Sequence, residues 1–217
     1  MNKVSQFAMV IGMFFGTSGT SAQRFDPNFQ LPIGIGVASP AMIPGRPLYF
    51  YSSPDFDAAP YQLKPIDSIT FVKGEHYLDI ATAPPWLAPE FIKLDYDILM
   101  FRVVTYSQNW IEVIVNNTNG QTSWVDATAV GYKEWGTFLT SIVAVEVIDV
   151  KTNPIRLKAL DNSGILAQVQ GAQLRPIAVK GDWLLVSTVG LADRIVPTGW
   201  IRWKKGDRML ITYSLLS

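Results

Sequence analysis

The residue types that carry most enzyme chemistry are scarce in this chain of 217 residues. It has no cysteine and a single histidine, His76, so thiol catalysis and a thiolate metal site are excluded. His76 directly follows Glu75, and neighbouring strand residues point to opposite faces, so this pair does not converge on a metal ion. Asp55 and Asp57 follow Ser-Ser-Pro, which favours turn hydrogen bonds over a catalytic carboxylate pair. We therefore expect no cofactor, no bound metal and no enzymatic activity.

Aromatic side chains beside charges are the remaining candidates for a site. Strand alternation puts Trp110 and Glu112 on one face, which the carboxylate indicates is partly wet. An aromatic surface with one polar group suits an extended peptide or a sugar. The candidate ligand-binding residues are Trp86, Tyr106, Trp110, Glu112, Trp200 and Arg202. We place the primary site between Trp86 and the strand 106–114, with Trp200 and Arg202 as the alternative place. The competing interpretation is that these tryptophans fill the core of small β domains.

A short pattern that occurs twice organises the chain. In each copy seven residues separate an arginine from a tryptophan, an apolar strand follows, and a second tryptophan comes after a turn. The copies are anchored by Arg102, Trp110 and Trp124, and by Arg175, Trp183 and Trp200. A duplicated small β unit is typical of a binding or scaffolding architecture, because each unit buries its own core and offers a surface groove.

The elements that must position these residues are short strands. They are predicted at 48–51, 69–72, 77–81, 98–105, 110–115, 123–126, 142–150, 155–159, 173–179, 182–189, 199–203 and 208–214. Asn119-Gly120 predicts a tight hairpin between two of them, because these residues accept positive φ angles. Helical signal is nearly absent, and its best candidate is a turn or two at 86–91, interrupted by prolines. The chain therefore reads as all-β, a class that favours small barrels or a sandwich.

The N-terminus predicts export. Lys3, an apolar run at 7–15 that is too short to span a bilayer, and small residues up to Ala22 are typical of a secretory signal cleaved after Ala22. No later stretch reaches the length of a membrane helix, so we expect no stable membrane insertion after cleavage and a periplasmic or extracellular location. Residues 23–46 hold four prolines and three glycines, which predicts an extended arm.

One segment resembles a known family. In residues 179–203, Gly181-Asp182-Trp183 opens a strand and Gly199-Trp200-Ile201 closes the pattern, which resembles the end of a bacterial SH3 (SH3b) domain; residues 154–160 resemble its first strand. The first copy is similar, but Asn109 replaces the aspartate and Ser123 replaces the glycine. The resemblance implies a small, strongly bent barrel of five or six strands. Its members are usually non-catalytic modules that bind peptidoglycan peptides or other proteins.

The domain organisation follows from the repeat and the resemblance. We expect a signal peptide at 1–22, the arm at 23–46, a first SH3-like barrel at 47–138 with an insertion at about 59–97, a connecting strand at 139–152 and a second barrel at 153–217. In the second copy, Leu184 and Val186 share the core face, while Trp183 and Leu185 form an apolar outer face that must be covered. We therefore predict that Trp183 and Leu185 pack against the first barrel.

Charge and composition leave three functional hypotheses open. The formal net charge is zero, so steering toward nucleic acid is not expected, and 48% hydrophobic residues can supply a core without disulfides. The leading hypothesis is an exported binding module for an envelope peptide, a glycan or a partner protein. The alternative is a structural or assembly subunit of an envelope complex. A carboxylate-dependent hydrolase is the least favoured of the three.

Overall fold

The computed structural model of this chain describes residues 30–188 and 197–216, so the predicted signal peptide lies outside the described residues. The prediction of an all-β protein is confirmed. Antiparallel strands dominate both described ranges, which contain one short α-helix and three 3-10 helices. None of these helices has the length and apolar character needed to cross a membrane.

The first unit covers residues 30–141. Its strands are β1 (Gly36–Pro40), β2 (Leu48–Phe50), β3 (Asp67–Lys73), β4 (Leu78–Thr82), β5 (Phe91–Lys93), β6 (Ile98–Ser107), β7 (Trp110–Asn116), β8 (Gln121–Asp126) and β9 (Val130–Glu134). Its helical segments are the 3-10 helices Pro60–Gln62, Leu94–Tyr96 and Ala127–Ala129, and α1 (Trp135–Ser141). The main sheet has the order β8-β7-β6-β1-β9 with β5 also paired to β6, and β2-β3-β4 forms a second sheet.

The second unit begins at residue 142. Its strands are β10 (Ala144–Val147), β11 (Ile155–Arg156), β12 (Ile165–Ala167), β13 (Leu174–Lys180), β14 (Trp183–Thr188), β15 (Gly199–Arg202), β16 (Lys204–Lys205), β17 (Arg208–Met209) and β18 (Ile211–Ser214). The sheet order is β12-β11-β15-β14-β13-β10-β18, and β16 pairs with β17 in a small hairpin.

The duplication seen in the sequence is a duplication of topology. The order β8-β7-β6-β1-β9 in the first unit matches β15-β14-β13-β10-β18 in the second. In both copies the arginine-to-tryptophan segment is a strand, a two-residue turn and the start of the next strand. The first turn residue has a positive φ in each copy, 51° at Gln108 and 57° at Gly181.

The copies also share an irregularity in the same place. The register between β6 and β7 shifts between Val103 and Thr105, and the register between β13 and β14 shifts between Pro176 and Ala178. Both shifts begin one residue after the arginine of the repeat. A bulge bends its strand and increases the local twist, so the two sheets curl at equivalent points.

The strand that borders the second tryptophan is equivalent as well. Tyr51, next to β2, pairs with Trp124, and Arg156 in β11 pairs with Trp200. The segment between the first two sheet strands of each unit therefore folds back onto the sheet edge. In the first unit this segment, residues 41–97, contains β2 to β5 and is called the insertion below; it begins earlier than the insertion expected at about 59–97.

Two predicted boundaries are wrong. The arm at 23–46 contains β1, which lies between β6 and β9, and the connecting segment at 139–152 contains β10, which lies between β13 and β18. Glycine is required in β1, because a Cβ at Gly36 would lie 2.2 Å from the carbonyl oxygen of Lys133. Each unit therefore starts one strand earlier than its Trp and Arg pattern implied.

The predicted helical turn at 86–91 is also wrong. The residues before β5 form turns and an isolated bridge from Ala88 to Asn116, whereas the described α-helix is α1. Proline at positions 84, 85 and 89 explains the first result, because proline removes a helix hydrogen bond. Burial explains α1, whose Trp135, Phe138 and Leu139 are at most 5% exposed.

The two units are packed against each other through a shared core. One buried cluster belongs to the first unit alone and includes Phe50, Ile69, Phe101, Ile111 and Val113. The other joins both units. It combines Ile33, Val37, Met100, Trp135, Phe138 and Leu139 with Val145, Leu174, Leu184, Val186, Ile201, Trp203 and Ile211.

Candidate functional site

An open groove in the first unit has a volume of about 560 Å³. It lies between the end of β1, the β2–β3 part of the insertion and the 3-10 helix after β8. Aromatic and proline residues form about half of its lining: Tyr49, Tyr51, Tyr61, Phe71, Pro40, Pro47 and Pro65. Tyr49 is 43% exposed and Tyr61 83% exposed, so both rings are available to a ligand. We call this cavity the tyrosine groove.

A tight turn fixes one rim of the tyrosine groove. The amide N–H of Arg46 donates to the carbonyl of Ile43 at 3.0 Å, and Gly45 between them has a φ of 80°. Pro44 and Gly45 are the residues that a type II turn prefers at its two central positions. Arg46, at the end of this turn, is exposed and makes no ion pair with another described residue.

Asp126 and Tyr51 are two polar side chains in the lining of the groove. Asp126 caps the 3-10 helix, because its Oδ1 accepts from the amide N–H of Thr128 at 2.8 Å and from the Thr128 hydroxyl at 2.7 Å. Burial, and then the Asp126 charge, raises the pKa of Tyr51. The Tyr51 hydroxyl therefore stays protonated at neutral pH and remains able to donate a hydrogen bond.

The equivalent cavity in the second unit is smaller, and polar side chains in its lining are already hydrogen-bonded within the protein. A cavity of about 220 Å³ lies between the end of β10 and the start of β18. Asp149 in its lining accepts from the Lys151 amide at 3.0 Å and the Thr152 hydroxyl at 2.9 Å. Asn153 is hydrogen-bonded twice to the Arg202 backbone. The aromatic groove is thus a property of the first unit.

Trp86 does not form a wall over Glu112. Its ring packs edge-on against Phe50, with 5.3 Å between ring centroids, and it joins the core that contains Ile111. Its carbonyl accepts from the Asn116 side chain at 2.7 Å. Trp86 therefore lies on the core side of β7, away from the face on which we placed a ligand.

Trp110 is not available to a ligand, so the prediction of a wet tryptophan is wrong. It is 1% exposed, its Nε1–H donates to the carbonyl of Asp55 at 3.0 Å, and Tyr51 packs edge-on against its ring. The insertion covers this face, which the sequence could not show. Glu112 is partly exposed on the same strand and accepts from the hydroxyls of Thr105 and Thr122.

Tyr106 is exposed but lies outside the tyrosine groove. It is 51% exposed and stacks on Tyr132, with 5.3 Å between the ring centroids and 24° between the ring planes. The Tyr132 hydroxyl donates to the carbonyl of Ile35 at 3.3 Å, and this hydrogen bond fixes the position of the Tyr132 ring.

Trp200 and Arg202 share a face as predicted, but the guanidinium is occupied. Arg202 donates to Asp161 through Nε at 2.8 Å and Nη2 at 2.7 Å, and its Cζ lies 4.4 Å from the centre of the Trp183 ring. These hydrogen bonds hold the pKa of Asp161 below its usual range. Arg202 therefore anchors the β11–β12 hairpin to the sheet.

The two units do pack against each other, but the prediction that Trp183 and Leu185 form the contact is wrong. Trp183 is covered by Arg202 from the neighbouring strand, and Leu185 on the same face is half-buried. The shared core lies on the opposite face, which carries Leu184 and Val186. The sequence assigned the two faces correctly but did not show which of them the first unit covers.

Glu90 is the polar centre of the contact between the units. Its carboxylate accepts from Arg102 Nη2 at 2.7 and 2.9 Å, from Asn117 Nδ2 at 2.8 Å and from the hydroxyl of Tyr213 at 2.5 Å. The Arg102 and Glu90 side chains are 10% and 9% exposed. We call these four residues the Glu90 cluster; Tyr213 belongs to the second unit and the other three to the first.

Alkaline pH is expected to weaken the contact between the units. Burial, and then Glu90, raises the pKa of Tyr213 far above its ordinary value of 10.0. The folded state holds this proton more tightly than the unfolded state does, so the stability it contributes is complete below about pH 10 and is lost as the pH rises further. Thermal denaturation from about pH 8 to pH 11 should show a steeper fall for the wild type than for Tyr213→Phe. Parallel curves would contradict this role of the hydroxyl.

The residues considered for enzyme chemistry make only local contacts, and the expectation that Glu75 and His76 point to opposite faces is wrong because they lie in the β3–β4 loop and not in a strand. His76 and Glu75 are almost fully exposed, with 3.8 Å between Nε2 and Oε1. Asp55 accepts from the backbone N–H of Asp57 at 2.9 Å, which is the turn hydrogen bond that the sequence favoured. Among the described residues no group of three or more His, Cys, Asp or Glu side chains could hold a metal ion.

No family model matches this chain, and no curated protein matches it by sequence. Among solved structures it is similar to NlpC2 from Trichomonas vaginalis, with 9% identity and a TM-score of 0.31 over 84% of this chain and 49% of that one. It is also similar to NlpC1 from the same organism, with 10% identity and a TM-score of 0.30 over 88% of this chain and 49% of that one. The chain spans about half the length of each.

Proposed function

We propose that this chain is an exported, non-catalytic binding module of the SH3b type, whose tyrosine groove binds an extended peptide segment of a cell-envelope component. The observation that carries the proposal is the groove, in which exposed Tyr49 and Tyr61 stand over an apolar floor. Tyrosine supplies a large contact area at a low cost in conformational entropy, and its hydroxyl adds polar contacts.

The duplicated sheet supports the SH3b assignment. Five strands of each unit have the same order, with a bulge and a two-residue turn at equivalent places, and this fits the small bent barrel that the resemblance implies. The second unit, whose equivalent cavity is small and internally hydrogen-bonded, then serves as the support on which the first unit is held.

Replacing Tyr61 or Tyr49 with alanine is expected to lower the affinity for purified peptidoglycan fragments about tenfold or more, because aromatic residues that line a binding groove carry much of the binding energy. The melting temperature should hardly change for Tyr61→Ala, because exposed substitutions are usually within about 0.5 kcal/mol. Co-sedimentation with purified peptidoglycan measures the affinity.

Tyr77→Ala is the matched control for this experiment. Tyr77 is 46% exposed, similar to Tyr49, but it lies in the β3–β4 hairpin outside the groove. Binding that persists in Tyr61→Ala and Tyr49→Ala at the level of Tyr77→Ala would move the site elsewhere.

A structural or assembly role is the second candidate, favoured by one surface. Four aliphatic side chains in and beside the β11–β12 hairpin are 37–58% exposed: Leu157, Leu160, Ile165 and Leu166. A permanently bound subunit would cover such a surface. Pull-down from envelope fractions separates the two roles, because a stoichiometric, salt-resistant partner indicates assembly and weak reversible binding to wall fragments indicates a module.

A further inference from the structure

The tyrosine groove carries one charge that the fold does not use. Arg46 is exposed on the rim, and no described acidic side chain forms an ion pair with it. The other arginines that line structural contacts are occupied: Arg102 binds Glu90, and Arg202 binds Asp161. Arg46 therefore has no visible structural partner among the described residues.

The backbone holds Arg46 in place, although its side chain is free. The Pro44-Gly45 turn fixes the residue through the Ile43–Arg46 bridge, and Pro47 and Leu48 then lead directly into the wall of the groove. A fixed backbone lowers the entropy that a ligand must overcome when it orders the side chain. The guanidinium is always charged and presents a planar set of donors that matches a carboxylate.

The one carboxylate among the residues that line the groove is Asp126, and it is not paired with Arg46. Asp126 uses its Oδ1 to cap the 3-10 helix, and the two residues form no ion pair. The groove thus presents aromatic and proline side chains, the Tyr51 hydroxyl, the Asp126 carboxylate engaged in its helix cap, and at Arg46 a cation with no partner in the fold. That combination complements an extended polypeptide that bears a negative charge beside its apolar residues.

We propose that the occupant of the tyrosine groove is an extended polypeptide segment with an acidic side chain, and that Arg46 pairs with this carboxylate. This inference rests on the proposed function and adds the charge of the ligand to it. A side chain fits better than a chain terminus, because Arg46 stands on an open rim and proteins commonly capture terminal carboxylates with backbone N–H groups.

Selection from a random peptide library displayed inside a carrier loop, and therefore without free chain ends, tests the proposal on the mature chain. The wild type should enrich Asp or Glu at one position beside apolar residues. Arg46→Met should keep the apolar pattern, lose the acidic enrichment and bind the selected peptides about tenfold or more weakly, since a charged hydrogen bond contributes about 1.5–3 kcal/mol. Arg46→Glu should switch the enrichment to Lys or Arg.

Two control variants, Arg175→Met and Tyr61→Ala, distinguish the possible outcomes. Arg175→Met removes an exposed arginine of the second unit and should behave like the wild type. Peptides selected without acidic enrichment but sensitive to Tyr61→Ala would overturn the role of Arg46 and leave the groove standing. Failure to select any Tyr61-dependent peptide would overturn the proposed function, and a preference found only for free C-terminal peptides would overturn the side-chain assignment.

Discussion

Arg102→Met is expected to lower the free energy of unfolding by about 3–5 kcal/mol, because removing one partner of a buried ion pair leaves the other charge uncompensated. Glu90 would remain with two neutral donors, Asn117 and Tyr213, while its side chain is only 9% exposed. For a chain of this size the melting temperature should fall by roughly 10 °C. Differential scanning calorimetry and urea denaturation measure both effects.

The duplication supplies the matched control for this prediction. Arg175 occupies the equivalent position in the second unit but is exposed, so Arg175→Met should change stability by no more than about 0.5 kcal/mol. Arg102→Met with Glu90→Gln should recover part of the loss, because the uncompensated charge is gone. Equal effects of Arg102→Met and Arg175→Met would show that the ion pair contributes nothing.

Local signals in the sequence were enough to predict the repeated part of the fold. The tryptophans mark the strands, and the two-residue turns Gln108-Asn109 and Gly181-Asp182 join strands at the predicted places. The hairpin at Asn119-Gly120 exists, although the Gly120 amide bonds back to Asn116 and makes the loop longer than the tight turn expected. Period-2 alternation and turn chemistry are local properties, so they can be found without tertiary information.

The missing elements are those that tertiary contacts create. Strand β1 has the sequence GVASP, in which Gly36 and Pro40 weaken the strand signal, yet pairing with β6 and β9 satisfies its backbone on both sides. Helix α1 contains Gly136 and three Ser or Thr residues, which are weak helix formers, and packing of Trp135 and Phe138 stabilises it. Propensity alone predicts neither element.

The accessibility of the candidate site depends on which segments cover it, and the periodicity of the sequence does not show this. Alternation placed Trp110 and Glu112 on one face, but the insertion buries Trp110 and leaves Glu112 partly exposed. The tyrosine groove was missed because its lining spans residues 40–129 and its parts looked like an arm, a turn and a strand end. The available signal was the density of tyrosine and proline in 40–65, where both residue types exceed what a solvated linker needs.

One pair of equivalent tyrosines shows how the copies have diverged. Tyr132 faces Ala38 in β1, and Tyr213 faces Val145 in β10, so the two occupy the same position in their sheets. Tyr132 stacks on Tyr106 at the surface, whereas Tyr213 contacts α1 and donates to Glu90. The tyrosine at this position contacts the other unit in the second copy, whereas in the first copy it stacks on an exposed tyrosine.

Trp135→Ala is expected to cost about 3–5 kcal/mol and to uncouple the unfolding of the two units. The ring lies within 6.2 Å of the rings of Phe138, Trp203 and Tyr213, and its Nε1–H donates to the Ile33 carbonyl at 3.1 Å. Trp203 and Tyr213 belong to the second unit, so alanine opens a cavity in the shared core. Urea denaturation followed by circular dichroism and by tryptophan fluorescence should then give two separated transitions in place of one.

Trp110→Ala is the control that distinguishes a loss of stability from a loss of coupling between the unfolding of the two units. Trp110 is 1% exposed and Trp135 is 4% exposed, so the two substitutions remove similar buried volumes, but Trp110 contacts Tyr51 and Asp55 within the first unit. Trp110→Ala should therefore shift a single transition to lower urea and keep the two probes coincident, because the shared core stays intact. A single coincident transition in Trp135→Ala would mean that the units remain one cooperative body without this ring, and that the rest of the shared core and the Glu90 cluster suffice to couple them.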